Sequence, residues 1–362
     1  MYCSASDPYR FEKIALKVAV ENVGPDVLQE IFDSLSRQEL EELYTTILRN
    51  GLEFFWLDSI QAIQRTELDP FSHGKFKAVC LQGTKTYLAQ KKVMLEIDSL
   101  FAAAGISHAF FKGAQVREIV YAKPAYRPSK DIDLLISPKE RNRALQLLAG
   151  AGYTLHFDPA NVSHEVNMVK QEVVVDVHWD IMRPGRTRIS LVEEFLERRQ
   201  RYSFFWGLDA EVSLFIMLTH PVFTKYSTAP QSAVIRLVDI IQWLEELELE
   251  WSRLCRYLRS SGMITAAWIT MRVVVNLTGR QPAKELPCKE LPKAWKKKIL
   301  SFWLARNLST RFMKYPAVIK YIFTALAHDS CMDAYRFYLT ARQERKQRKS
   351  TVEELESLGT GF

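Results

Sequence analysis

The amino-acid sequence predicts an α+β fold in which a small mixed β-sheet is flanked by helical regions on its N-terminal and C-terminal sides. Three observations support this fold: apolar residues recur at helical spacing up to residue 104, short β-rich runs occupy residues 105–185, and helical spacing returns from residue 186. The 362 residues are 48% hydrophobic and 25% charged, which excludes a disordered chain and a collagen-like repeat. At this length we expect two domains or one enlarged domain.

The N-terminal region, residues 1–104, is predicted to be helical almost throughout. The dipeptides Gly-Pro at 24–25 and Asn-Gly at 50–51 mark breaks between its shorter helices. A longer helix is predicted from about Lys75 to Ala104, and the following Gly105 is typical of a residue that ends a helix.

The region 105–185 is predicted to supply the strands. Its β-rich runs are HAFFKG from His108, DIDLLIS from Asp131, VSHEVNMVK from Val162 and EVVVDVHW from Glu172. A helix from Pro138 to Ala151 interrupts them, and Ser137 is placed to cap it, with Glu140 completing a capping box. Only about two residues, Gln171 and Glu172, lie between the apolar parts of the last two runs, so these runs should form an antiparallel hairpin. We expect a mixed sheet of about four or five strands.

Helices should follow from residue 186, because no strand pattern is visible beyond Pro184. Residues 186–280 are predicted to form a helical region that packs on the strands, and residues 281–362 the C-terminal helices and a basic tail, after a Pro-rich joint. The predicted helices are Ala210–Leu218, Ala233–Glu250, Trp251–Ser260, Met263–Leu277, and a final pair near 294–326 and 330–348.

The charge balance is mildly basic, with 49 Lys and Arg residues against 42 Asp and Glu residues, a net charge of +7. The basic segments 293–298 and 342–349 are typical of solvated helix ends or a basic tail. They leave nucleic acid open as a partner without indicating it, because no aromatic RNA-recognition motif accompanies them.

The cysteines and the apolar segments predict a soluble protein of the cytoplasm. The five cysteines are scattered and form no Cys-x-x-Cys pair, so we expect reduced thiols. The first residues carry charges where a signal peptide needs an apolar core. The most apolar stretch, Met263–Leu277, is too short for a membrane span and contains Arg272, so we expect a buried helix and no membrane partner.

Two carboxylates in the second run form the central chemical feature. Asp131 and Asp133 project from the same side of their predicted strand, since side chains alternate in a β-strand. Their mutual repulsion would be relieved by a divalent cation such as Mg²⁺, although such a pair alone is more often a solvated strand edge. Asp176 strengthens the metal interpretation, because it interrupts an apolar strand in which an unpaired carboxylate would be costly.

Polar residues around these acids are candidates for binding phosphate. Lys112-Gly113 ends one strand and begins a helix, where an ammonium group and backbone N–H groups could hold a phosphate; a structural lysine at the strand end is the alternative. Further candidates are Arg127, Ser129 and Lys130, which precede the acids.

Three other residues have two interpretations each. His178 either orients a metal-binding carboxylate or contacts the substrate, or it is a structural histidine. Arg236 and Asp239 share a face of one predicted helix, where they either form a buried ion pair or present Arg236 to a phosphate.

The motifs FFKGAQ, RPSKDIDLLIS and VVVDVHWDI, in this order, resemble the DNA polymerase β-type nucleotidyltransferase superfamily. More closely, the chain is similar to the bacterial family of uncharacterised nucleotidyltransferases. The similarity extends through RLVDIIQWLEELELEWSRL, from about Phe110 to Gly262. Gln115, in the first motif, is a further candidate for contacting the substrate or for supporting the residues that do. The chain departs from the superfamily at Lys112-Gly113-Ala114, where Gly-Ser or Gly-Gly is usual.

The resemblance implies a nucleotidyltransferase core with two Mg²⁺ ions, or Mn²⁺ in their place. Asp131 and Asp133 would bind both ions, and Asp176 the ion that activates the acceptor hydroxyl. The donor would be a nucleoside triphosphate such as ATP, and the acceptor a small molecule, peptide or protein. Gly113 would let the nucleotide phosphates approach the backbone.

Two alternatives remain open at the level of sequence. A glycosyltransferase that uses a nucleotide sugar could also hold its metal through an Asp-x-Asp motif, but the long helical region before the first strand is unlike its Rossmann-type core. A catalytically silent nucleotidyltransferase fold that serves as a binding protein would account for the missing hydroxyl at the Lys112-Gly113 turn.

Overall fold

In the computed structural model of the chain, helices precede the first strand, as predicted. They are α1 (Arg10–Glu21), α2 (Pro25–Asp33), α3 (Arg37–Asn50), α4 (Glu53–Gln61) and the long α5 (His73–Ala103). Gly105 follows α5 in a left-handed conformation, with a φ of 67°. The structure describes residues 7, 9–21, 23–61, 73–157, 164–228, 233–279, 288, 291–305 and 317–359.

The strands form a mixed sheet. Its members are β1 (His108–Phe111), β2 (Asp131–Ile136), β3 (Thr154–His156), β4 (Glu165–Lys170), β5 (Val173–His178), β6 (Gln200–Arg201) and β7 (Trp206–Gly207), in the order β3-β4-β5-β2-β1-β7-β6. The neighbours β1 and β2 are antiparallel, whereas β2 and β5 are parallel. The α+β class with a mixed sheet is therefore confirmed.

Among the described residues, three α-helices lie between strands: α6 (Lys112–Val120), α7 (Arg141–Gly150) and α8 (Val192–Glu197). The predicted helix after β2 is confirmed, but a 3-10 turn precedes α7, so the capping box of Ser137 with Glu140 is wrong. Instead, Ser137 Oγ accepts a hydrogen bond from the Lys139 N–H and donates one to Glu193. The hairpin of β4 and β5 is confirmed.

The predicted number of strands is wrong, and so is the absence of strands beyond Pro184. The described residues form seven strands, and β6 and β7 come after that proline. Both are two residues long, too short to show alternating hydrophobicity. Only pairing with β1, at Phe110 and Gly207, makes β7 part of the sheet.

Helices complete the C-terminal half. They are α9 (Ala210–Thr228), α10 (Ala233–Glu246), α11 (Trp251–Ser261), α12 (Ile264–Thr278), α13 (Ala294–Leu304), α14 (Ala317–Ala327) and α15 (Cys331–Gly359). Most of the Pro-rich joint at 281–292 lies outside the described residues. The basic segment 342–349 lies within α15.

The two faces of the sheet pack against different helices. Ile132 and Leu134 lie in a core cluster with Phe101 of α5 and Leu148 of α7. Leu135 lies on the opposite face, in the larger cluster that includes α9, α10 and α12. Asp131 and Asp133 alternate with the first set, so they lie on the face directed at the C-terminal helices.

The cysteine prediction is wrong in one respect. Cys255 of α11 forms a disulfide with Cys288, with a Cα–Cα distance of 5.4 Å, whereas Cys80 and Cys331 are free. The bonded pair is 33 positions apart in the sequence, and only the tertiary fold brings the two thiols together. None of the described helices has both the length and the hydropathy required to traverse a bilayer. The stretch Met263–Leu277 forms the N-cap and nearly all of the buried helix α12.

Candidate active site

The parallel pairing of β2 with β5 brings the three predicted acids onto one face. Asp133 is the direct cross-strand neighbour of Asp176, and Asp131 lies two residues earlier on the same side of β2. The charges of Asp131 and Asp133 both raise the pKa of Asp176, which places all three carboxylates within electrostatic reach of one another. The sequence predicted the shared side for the first pair, but not the register that adds Asp176.

Asp133 is buried and well supplied with partners. Its Oδ1 accepts a hydrogen bond of 2.6 Å from Lys112 Nζ and lies 3.0 Å from Nε2 of His178. Burial alone would raise the pKa of Asp133, but the positive charge of Lys112 and the contact with His178 lower it to about 2. Asp133 is therefore ionised at neutral pH and held in one orientation.

Asp176 is in the opposite situation. Its Oδ1 is buried, and none of the residues that the structure describes forms a hydrogen bond with it. Burial, followed by the charges of Asp133 and Asp131, raises the pKa of Asp176 to about 7. Asp176 thus lacks a hydrogen-bond donor and lies beside two other acids. A bound cation would offset both the missing hydrogen bond and the repulsion between the carboxylates. One ligand atom each from Asp133, Asp176 and His178 lies within 4.8 Å of the others, so Asp133 and Asp176 can share one metal ion; Asp131 does not belong to this compact group.

The turn between β1 and α6 lies beside these acids. Lys112 adopts a left-handed conformation with a φ of 52°, and its side chain is directed at Asp133. Gly113 is needed for close packing, since a Cβ there would lie 2.4 Å from Arg127 Nη1 and 2.9 Å from Ser129 Oγ. A hydroxyl group therefore lies at this turn, although residues 112–114 contain none. Ser129 Oγ also donates to Asp131 Oδ1 over 3.4 Å.

Arg127 is bound within the protein. Its Nη2 donates to Asp239 Oδ2 over 2.8 Å, its Nε donates to the same carboxylate, and Tyr121 Oη donates to Asp239 Oδ1 over 2.7 Å. This buried pair fixes the loop before β2 to α10. Asp239 thus pairs with Arg127, and the ion pair of Asp239 with Arg236 that was one of two expectations does not form.

Arg236 remains available on the same helix. Its Nη1 is buried without a hydrogen-bond partner in the structure. Burial and the charge of Arg127 lower the pKa of Arg236 to about 10, against the opposing effects of Asp239, Asp133 and Asp131. The guanidinium is therefore positioned near the acids as an unused donor, which suits an anionic ligand.

The other predicted residues differ in their surroundings. Lys130 is exposed. Gln115 is buried, and its amide donates to the carbonyl of Leu208 over 2.5 Å and accepts from the hydroxyl of Ser213. Its bonds tie α6 to the start of α9.

Two residues that the sequence analysis did not select extend the site across β4. Glu165 is the cross-strand neighbour of His178, and Glu165 Oε2 lies 3.0 Å from His178 Nδ1 in an ionic contact without hydrogen-bond geometry. His164 precedes it, with its ring centroid 5.8 Å from that of His178. The alternation of residues in β4 could have indicated which face of the sheet Glu165 occupies. It could not indicate that β4 pairs with β5 in the register that places Glu165 opposite His178.

A protein-family model described as an uncharacterised nucleotidyltransferase matches residues 36–279. The match covers about two thirds of the chain and includes every side chain of the site described above. No curated protein matches the chain.

Proposed function

The chain belongs to the family of uncharacterised nucleotidyltransferases, and on that premise we propose that it transfers a nucleoside monophosphate from a nucleoside triphosphate to a hydroxyl or phosphate group of an acceptor, with Mg²⁺ as cofactor. The observation that carries the proposal is the buried, unpartnered Oδ1 of Asp176 beside Asp133. In the absence of a cation this arrangement costs stability, so a structural role alone does not account for it.

Asp131, Asp133 and Asp176 are the residues that would hold the metal, and Mn²⁺ is expected to substitute. When bound, Mg²⁺ would lower the pKa of the acceptor hydroxyl and offset the charge that develops on the leaving pyrophosphate. The preference of Mg²⁺ for carboxylate oxygens and substrate phosphates agrees with this set of ligands.

The protein's own contribution is positioning and charge. Lys112 holds Asp133 in place and adds a positive charge next to the acids. Arg236 supplies an unused buried guanidinium, and Ser129 a hydroxyl at the turn, both suited to the triphosphate. Arg127 acts indirectly, because its bonds to Asp239 secure the loop that precedes Asp131. These groups would bind the donor and align its α-phosphorus for attack by the acceptor.

The fold and the site favour this function over the two alternatives. The antiparallel pairing of β1 with β2 differs from the parallel βαβ units of a Rossmann-type glycosyltransferase. A binding protein without catalysis would not require Asp176 to lie beside two acids that repel it. A metal-dependent enzyme would, because these carboxylates bind the metal.

Labelled transfer tests the proposal. The purified chain is incubated with Mg²⁺, each of the four triphosphates labelled at the α-phosphate, and a cell extract as the source of acceptors. We expect label to reach an acceptor, and we expect Asp131→Asn, Asp133→Asn and Asp176→Asn each to abolish this while leaving the fold intact by circular dichroism. Asp26→Asn, at an exposed position of α2, is the matched control.

The result can contradict the proposal in two ways. If the three variants transferred label as well as the wild type, the assignment of these acids to the active site would be wrong. A product that gains a hexose rather than a nucleotide by mass would support the glycosyltransferase alternative instead.

A further inference from the structure

A second group of possible metal ligands lies one strand away from the three acids. His164, Glu165 and His178 each contribute one ligand atom, and these atoms all lie within 4.8 Å of one another. The pairing of Glu165 with His178 across β4 and β5 fixes two of them. The third is held because the carbonyl of His164 accepts a 2.9 Å hydrogen bond from the N–H of Trp179. The backbone therefore brings these donors together without any ion.

His178 is oriented for coordination through Nδ1. Its Nε2 lies 3.0 Å from Asp133, whereas its buried Nδ1 has no hydrogen-bond partner among the described residues and is directed towards Glu165. A carboxylate that binds one ring nitrogen of a histidine while the other ring nitrogen binds a metal is a recurrent arrangement in metalloproteins. Asp133 supplies that carboxylate here.

His164 is suited to the same role. Its side chain is buried, and Nε2 lies 3.5 Å from Glu165 Oε2. The imidazole nitrogens of histidine are common metal ligands in proteins.

The ligand chemistry distinguishes between classes of cation. Mg²⁺ and Ca²⁺ are hard cations that require oxygen ligands, and this group offers a single carboxylate. Two imidazoles and one carboxylate instead suit Zn²⁺ and related transition metals. The side chain of Glu165 is 35% exposed, which gives an ion access from solvent.

We propose that His164, Glu165 and His178 bind one transition-metal ion of the Zn²⁺ class, with a fourth coordination position left for water or substrate. This site goes beyond the proposed function, because it is separate from the carboxylate oxygens assigned to Mg²⁺. It adjoins them through His178, whose Nε2 contacts Asp133, so the bound ion would also fix the orientation of that acid.

Co²⁺ in the presence of excess Mg²⁺ is the probe, because low-coordinate Co²⁺ has a strong visible absorption. We expect the full-length protein to bind one Co²⁺ with this spectrum and to release it to Zn²⁺. His164→Gln and Glu165→Gln should each weaken Co²⁺ binding at least about tenfold, since each removes one of three ligands. His156→Gln, at an exposed position in β3, should bind like the wild type. Because Glu165 is partly exposed, its variant keeps the test valid if the buried His164 variant fails to fold.

Asp176→Asn separates this proposal from the proposed function. We expect it to retain the Co²⁺ spectrum and to lose the rise in melting temperature that Mg²⁺ binding to the three acids should give the wild type. Wild-type Co²⁺ affinity in the Glu165→Gln variant would overturn the transition-metal site. So would loss of the spectrum in Asp176→Asn, because Co²⁺ would then lie on the carboxylates assigned to Mg²⁺.

Discussion

Replacing Asp176 by asparagine should stabilise the metal-free protein at alkaline pH. The pKa of Asp176 rises from its ordinary value of 3.8 to about 7 in the fold, because of burial first and the charges of Asp133 and Asp131 second. At ~1.4 kcal/mol for each pH unit, a difference of about 3 in pKa corresponds to about 4 kcal/mol as an upper estimate. Asparagine has nearly the same shape and cannot ionise, so it avoids this cost.

The pH dependence follows from the direction of the shift. Between pH 4 and pH 7, by the values of 3.8 and about 7, the unfolded chain has lost the Asp176 proton while the folded chain retains it. The folded wild type therefore loses stability as the pH rises through this range and carries the full cost above it. The difference between Asp176→Asn and wild type should be largest at about pH 8 and small near pH 4.

Urea unfolding in EDTA at both pH values measures this difference. Asp133→Asn is the contrasting variant: the pKa of Asp133 is lowered to about 2, so its charge stabilises the fold, and its loss leaves Lys112 and His178 without their shared partner. We expect it to be less stable than wild type at pH 8. The reasoning is refuted if Asp176→Asn is also less stable than wild type at pH 8 in EDTA.

Three further substitutions test the surroundings of the acids. Gly113→Ala should cost about 1–3 kcal/mol of unfolding free energy, because its Cβ would meet Arg127 at 2.4 Å, while Gly150→Ala, where nothing lies within 4 Å, should cost none. Arg127→Gln should lower the unfolding free energy of the protein by about 3–5 kcal/mol, because it leaves Asp239 buried without its cation. An unchanged melting temperature would contradict this prediction. Arg236→Gln should weaken binding of a fluorescent nucleoside triphosphate about tenfold. It should have little effect on stability, since Nη1 forms no hydrogen bond with the described residues. Wild-type affinity in this variant would show that Arg236 does not bind the phosphates.

The predictions that came from local pattern were the most accurate. Helical periodicity identified α5 and its end at Gly105, and the two residues between β4 and β5 identified the hairpin. The strands β6 and β7 were missed, because two residues give no periodic signal. β6 pairs with β7, and β7 joins the sheet through Phe110 of β1, 97 positions before Gly207.

Interactions between distant segments were not predictable in the same way. Asp239 could have paired with Arg236 on its own helix. Because α10 packs on α6 and on the loop before β2, Asp239 instead forms its ion pair with Arg127 of that loop. The disulfide of Cys255 with Cys288 has the same origin, since thiols far apart in the sequence carry no local sign of their pairing.

Local sequence pattern was sufficient for the α+β class, the shared side of Asp131 and Asp133, and the helix start at Lys112-Gly113, because alternation along a strand and turn chemistry are properties of neighbouring residues. The folded structure was needed to show that Asp176 lies beside Asp133, that Glu165 faces His178, and that no described residue donates a hydrogen bond to one oxygen of Asp176. These facts depend on strand order and register, which are set by the packing of the whole sheet against its helices.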